Sequence, residues 1–217
     1  GDLGFMALEK LRDSIKDRFI NVGLAEQNMV SVAAGLALEG RNVWLYSIAP
    51  FCYARPFEQI RNDICHHNLS VKLVGNGGGY SYGPMGMSHH ALEDYGTLLT
   101  LPNMKAYIPA FGDDLKTLIP LLNKVDHPTY LRLARCEQPP NLQLPFYSAW
   151  RKLLTGAEMP ILIIGPLAGL FWSHCVELPE DQRPELWVLS ELPELNVDEM
   201  PPDFIRHVKE RGLCVVE

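Results

Sequence analysis

Short runs rich in Val, Ile and Leu recur along the chain between longer segments of helical spacing, and nothing else in the sequence constrains the fold as strongly. A run that is apolar on consecutive positions, rather than on every second one, is a strand covered on both faces. That is the environment of a parallel sheet packed between helices. Such runs fall at 43–48 (VWLYSI), 71–75 (VKLVG), 129–134 (TYLRLA), 161–165 (ILIIG), 186–190 (LWVLS) and 213–216 (LCVV). They predict an α/β fold.

The helices follow from what lies between. Residues 24–38 (LAEQNMVSVAAGLAL) are apolar around most of the helical circumference, and Ala33, Ala34 and Gly35 let another backbone come close, so a buried helix is expected. Asp113 and Asp114 precede a Leu/Ile stripe and are placed to cap a surface helix. Asp203 is placed likewise before FIRHVKER, with Gly212 as terminator. The polar, proline-rich stretch 136–145 (CEQPPNLQLP) reads as a linker, which puts a domain boundary near 145 and gives domains over 1–145 and 146–217. The chain stops inside the last predicted strand, and its first residues read as a loop whose strand is missing. It is therefore expected to be part of something longer.

Composition narrows the function classes. With 47% hydrophobic and 21% charged residues in 217, the chain is globular rather than disordered or repetitive. Acidic residues outnumber basic ones, 26 to 19, for a net charge of −7, so no basic face exists to displace counterions from nucleic acid or to settle on an anionic membrane. No apolar run approaches the ~20 residues that span a bilayer, and the first residues lack the charge-then-apolar order of a secretion signal. Five scattered cysteines (Cys52, Cys65, Cys136, Cys175, Cys214) form no CxxC pair, which argues against a disulfide framework or zinc site and for a reducing, cytoplasmic setting.

Four places carry residue types that do chemistry. Glu26 is a carboxylate in the first turn of the apolar helix, where burial without a partner costs several kcal/mol. It either meets a fixed basic group or simply complements the helix N-terminus. The segment Ala49-Pro50-Phe51-Cys52-Tyr53, followed by Arg55-Pro56-Phe57, clusters aromatics at the end of a strand where open α/β sheets bind ligands. Phe51, Tyr53 and Phe57 could stack on a flat heterocycle or pack into the core. The loop Gly75-Asn76-Gly77-Gly78-Gly79 leads through Tyr80 and Tyr82 to Ser88-His89-His90. Its spacing matches neither GxGxxG nor GxxxxGK followed by Ser or Thr. That leaves an active-site wall with His89 or His90 carrying a proton, a plain surface loop, or, as the weaker reading, a metal pair. Arg132 and Arg135, at the end of 129–134, could present a guanidinium to a phosphate or carboxylate, or pair at the surface.

Taken together, RFINVGLAEQNM at 18–29 with AAGLALEG at 33–40, EQIRNDI at 58–64, the glycine loop and SHHALED at 88–94 resemble the pyrimidine-binding domain of the transketolase family over residues 1–135. Residues 150–217 are similar to the beginning of that family's C-terminal domain. The HHALED form of the loop is most similar to transketolases split into two chains, of which this would be the C-terminal subunit. The resemblance implies a three-layer αβα fold with a mostly parallel sheet, the thiamin diphosphate-binding fold in its pyrimidine form, followed by a smaller, incomplete α/β domain.

The resemblance also implies roles. Glu26 matches the glutamate that hydrogen-bonds N1′ of the aminopyrimidine of thiamin diphosphate, and Phe51, with Tyr53 and Phe57, falls where aromatics stack on that ring. His89 matches the histidine that touches the donor substrate, His90 sits one place beyond, and Arg135 falls near an arginine used for a substrate phosphate. Met85 stands where relatives carry an aspartate, four positions before the matched histidine. These 217 residues hold no GDG with a spaced Asn, the family motif for magnesium, so metal ligands are expected on a diphosphate-binding N-terminal partner subunit, the two forming a heterotetramer. The implied reaction moves a two-carbon ketol unit from a ketose to an aldehyde, phosphorylated or not. The alternatives are a decarboxylating condensation, as in 1-deoxyxylulose-5-phosphate synthase, and a non-catalytic scaffold subunit.

Overall fold

The computed structural model describes residues 1–4, 6–193 and 197–217. The chain is a mixed α/β protein, as its strand rhythm predicts. It divides into two compact units, Gly1–Ala106 with Asn123–Leu133, and Tyr107–Leu122 with Ala134–Glu217. Among the described residues, no helix is long and apolar enough to cross a membrane.

In the first unit, β1 (Val43–Ile48) runs parallel to β2 (Val71–Asn76), and β3 (Lys105–Tyr107) lies beyond β4 (Thr129–Leu133), which is parallel to β2 on its other side. Central position explains the composition of β2: Val71, Leu73 and Val74 are all buried, so both faces of the strand are apolar. Lys72 is the exception, and its buried ammonium donates to Asn42 Oδ1 at 2.8 Å and Ser70 Oγ at 2.7 Å. Burial holds its pKa below the usual lysine value.

A short helix, α1 (Glu9–Ile15), precedes α2 (Glu26–Leu38), which packs on β1. Glu26, Met29, Val30, Ala33 and Ala34 are buried, a stripe at helical spacing. The expectation of an all-round buried helix is corrected: Val32 and Leu38 are exposed, as is Leu24 just before the helix. After β1 the chain turns at once into α3 (Ala49–Tyr53), then α4 (Phe57–Gln59) and a π-helical stretch, Ile60–Cys65. The loop after β2 runs to α5 (Asp94–Leu98).

The second unit contains α6 (Leu115–Leu122) and a sheet of β5 (Trp150–Leu154), β6 (Glu158–Ile163), β7 (Pro184–Leu189) and, past a two-residue strand β8 (Glu191–Leu192), β9 (Cys214–Val216). Its order is β5-β7-β6-β9, with only β5 antiparallel to its neighbour. Helices α7 (Ala168–Cys175) and α8 (Pro202–Arg211) complete it. Ala168, Cys175, Ile163, Leu186 and Val188 form a core with Phe111, and Leu142 of the proline-rich stretch is buried in it. Gly169 of α7 lies so close to the Glu137 carbonyl that a Cβ there would overlap it, which is why a glycine stands at the second position of that helix.

Two capping expectations are revised. Asp114 does cap, its Oδ2 accepting from the Phe111 amide at 3.1 Å at the turn that leads into α6, but it is buried rather than at a surface helix: it also accepts from the Ala110 amide at 3.0 Å, and Arg151 clasps both carboxylate oxygens at 2.6 and 2.8 Å. Asp203 lies inside the first turn of α8 and accepts from Arg206 at 2.8 Å. Gly212 does end that helix, at φ +84°, a conformation glycine adopts freely.

Candidate functional site

Of the residues singled out in the sequence, Glu26, Phe51 and His89 come together in the first unit, at the C-terminal ends of β1 and β2. In an open parallel sheet these ends are where a ligand finds backbone turns and helix starts rather than packed strand. Helix α2 brings Glu26 there on its first turn, with the residue 4% exposed. Its partner is Arg55, whose Nη1 donates to Glu26 Oε1 at 3.0 Å. Oε2 accepts no hydrogen bond among the described residues. The open choice between a fixed basic partner and a bare helix-terminus role is thus settled in favour of the partner.

Phe51 and Arg55 are one helical turn apart, the Ala54 amide still bonding back to Pro50 at 3.0 Å, so their side chains lie on one side of the turn. The guanidinium carbon of Arg55 stands 3.8 Å from the Phe51 ring centre. On Phe51 also rests the His89 imidazole, edge-on with ring centres 5.2 Å apart. Tyr53, two positions on from Phe51, points elsewhere: it is buried, and its hydroxyl bonds Glu93. Burial first, and that acid second, push the Tyr53 pKa up, while the same hydrogen bond holds Glu93 below the usual carboxylate range. Between them Cys52 is fully buried and its thiol is pushed up to about 12, so it is no nucleophile. Phe57 opens α4 and is half-buried.

The glycine loop is fastened at both ends. The amides of Gly77 and Gly78 donate to the Leu133 carbonyl at 2.7 and 3.0 Å, and Gly79 and Ala91 exchange a pair of backbone hydrogen bonds at 2.8 and 3.0 Å. Gly77 has φ +80°, and a Cβ there would overlap the Tyr82 ring. Within the loop, His89 Nδ1 bonds Ser88 Oγ at 3.0 Å. His90 Nε2 lies 2.9 Å from the Gly83 carbonyl; since a carbonyl only accepts, that nitrogen carries the proton. His90 also meets Tyr80 edge-on, at 4.9 Å between centres. His89 is therefore the imidazole gathered with Glu26, Phe51 and Arg55, and His90 braces the loop.

Arg132 meets a carboxylate, but the protein's own. It is 2% exposed, with Nε donating to Asp94 Oδ2 at 2.9 Å and Nη2 to the Ala91 carbonyl at 2.8 Å. Tyr130 donates to the same Asp94 oxygen at 2.7 Å. Burial pushes the Asp94 carboxyl up, and Arg132 and Tyr130 oppose it. This buried network clamps the loop's exit onto the sheet. Arg135 follows β4, exposed, and belongs to the second unit. The functional residue that the sequence reading left unassigned is Arg55, whose one available signal was its one-turn spacing from Phe51.

A parallel α/β sheet with a buried acid, a cation stacked on an aromatic ring and a histidine-bearing glycine loop at its strand ends defines a ligand-binding module of the doubly wound class. Residues 4–140 match the family described as transketolase, pyrimidine binding domain, and the chain belongs to that family. It is 38% identical over 123 residues to an apulose-4-phosphate transketolase subunit of Actinobacillus succinogenes, an alignment covering 57% of this chain and 40% of that protein. Over 187 residues, 84% of the chain, it is 26% identical to the 1-deoxy-D-xylulose-5-phosphate synthase of Clostridium perfringens, covering 30% of that enzyme. A solved split-gene transketolase, described as an inactive beta4 tetramer, superposes on 100% of this chain and 71% of its own with a TM-score of 0.80 at 25% identity. The chain thus spans less than half the length of these two curated relatives.

Proposed function

We propose that this chain is the pyrimidine-binding part of a thiamin diphosphate-dependent transketolase divided between two subunits, active with a diphosphate-binding partner and moving a two-carbon ketol unit from a ketose to an aldehyde. In this reading residues 1–145 form the pyrimidine-binding domain and 146–217 the start of the C-terminal domain. Magnesium is held by the partner, the assembly is a heterotetramer and the setting is cytoplasmic. The observation that carries the reading is Glu26: a buried acid, one of whose oxygens accepts no hydrogen bond among the described residues, paired with an arginine that stacks on the Phe51 ring at the C-terminal end of a parallel sheet.

These residues fit the pyrimidine end of the cofactor. When bound, thiamin diphosphate supplies the carbanion chemistry of the transfer. Glu26 is assigned to hold a proton at N1′ of the aminopyrimidine, and burial keeps water from competing for that contact. Phe51 orients the ring by stacking. His89 moves a proton at a substrate hydroxyl, a task suited to an imidazole near neutral pH. His90 and Arg135 are assigned to substrate binding, and Tyr53 and Phe57 to the wall around the pyrimidine. Such a buried acid has no evident use in a non-catalytic scaffold, which argues against that alternative.

A second reading keeps the same residues and changes the reaction. The likeness to 1-deoxy-D-xylulose-5-phosphate synthase reaches over 84% of the chain, which favours a decarboxylating condensation as the alternative. Purification of the tagged protein from its source cells, with mass spectrometry of what accompanies it, tests the partner. A chain carrying GDG and the spaced Asn is expected, and the assembled pair should transfer a ketol unit without releasing carbon dioxide. Release of carbon dioxide from an oxo acid would select the second reaction; recovery of no such partner, together with no such domain elsewhere in the encoded polypeptide, would overturn both.

A further inference from the structure

Three groups of the proposed site come from separate stretches of chain: Glu26 from the start of α2, Phe51 from α3 and His89 from the loop after β2. One side chain ties them together. Arg55 bonds the Glu26 carboxylate at 3.0 Å, covers a face of the Phe51 ring at 3.8 Å, and reaches His89 through that ring, which the imidazole meets edge-on. A guanidinium can do both at once because its N–H donors lie in its plane while its flat face is free to stack; an ammonium ion has no such division. The backbone helps: Pro56 follows Arg55 and is buried, and a residue before proline has fewer conformations open to it. The Arg55 side chain remains about half exposed, so its removal leaves no hole in the core.

We infer that Arg55 is the positioning residue of this site. It fixes the angle and distance between the acid that meets the pyrimidine and the ring that stacks on it. This rests on the cofactor reading given above.

The test compares Arg55→Met and Arg55→Lys with wild type and Glu26→Gln, each assembled with its diphosphate-binding partner. Two readouts are independent of turnover: the Kd of thiamin diphosphate by calorimetry, and the rate of deuterium exchange at the thiazolium carbon of the bound cofactor by quenched NMR. Arg55→Met is expected to weaken cofactor binding about tenfold and to slow exchange about tenfold or more in an assembly that still forms. Arg55→Lys keeps the charge on Glu26 and loses the flat stack, so it should recover exchange more than affinity. Wild-type Kd and exchange in Arg55→Met, in an assembly where Glu26→Gln abolishes exchange, would overturn the role of Arg55 alone. Tighter binding by Arg55→Met would overturn it too, by showing that the guanidinium occupies the ligand's place. Absence of cofactor binding by the wild-type assembly would remove the site reading itself.

Discussion

Single residues in this protein are intelligible mainly through the partner each one meets. Glu26 could be singled out in the sequence because a carboxylate in an apolar helix is costly, and Phe51 and His89 because aromatics and histidines gather after strands. Arg55 was harder to assign, since the pair it forms joins positions 29 apart and its one-turn spacing from Phe51 is the one local hint. The same holds for Arg132: from a strand end it reads as a hand held out to a ligand, but it is buried against Asp94, 38 positions away. Replacing it tests that structural role. Arg132→Met leaves the Asp94 carboxylate buried without its cation, and the loss of one member of a buried pair costs about 3–5 kcal/mol. Urea denaturation should show a fall of that size, and a change below about 1 kcal/mol would mean that Asp94 finds another partner.

Among the elements, strands that are apolar on consecutive positions were legible, and those interrupted by charge were not. The strands β1, β2, β4, β6, β7 and β9 lie within a few residues of their predicted places. β3 has only three residues, too few to show a period. β5 carries Arg151 and Lys152 in its middle, yet Arg151 is buried on Asp114 and the half-buried Lys152 pairs with Glu185, so charge there marks pairing rather than exposure. In α2 the error ran the other way, because an apolar circumference does not say which face has a neighbour.

Glu185 also staples elements of the second unit, since Lys152 of β5 and His207 of α8 both bond this buried residue of β7, the latter at 2.7 Å. Burial pushes its carboxyl up, but Lys152 and His207 beside it outweigh this and hold it below the usual carboxylate range. A depressed folded-state pKa means that the folded chain binds this proton less readily than the unfolded one. The stabilisation is complete above the unfolded value of about 4.3 and is lost as pH falls through the folded one. Melting curves of wild type and Glu185→Gln should therefore converge below about pH 4. A gap that is constant from neutral pH downward would contradict this.

At the scale of the whole molecule, the α/β class and the family were both readable, the first from strand rhythm and the second from motifs across the first unit. The two compact units were harder, because residues 107–122 lie early in the sequence yet belong with the C-terminal half. That interleaving leaves no mark in local composition. The reading offered for the molecule is that this chain supplies acid, stack and histidine while a partner holds the diphosphate, so neither component should turn over alone. The most direct measurement is the ketol-transfer rate of the assembled pair carrying Glu26→Gln against wild type. Removing a proton-handling group of this kind is expected to lower turnover by about 10²- to 10⁴-fold with the fold and the assembly intact. A wild-type rate in that variant would contradict the assignment of Glu26, and with it the account of what this chain does.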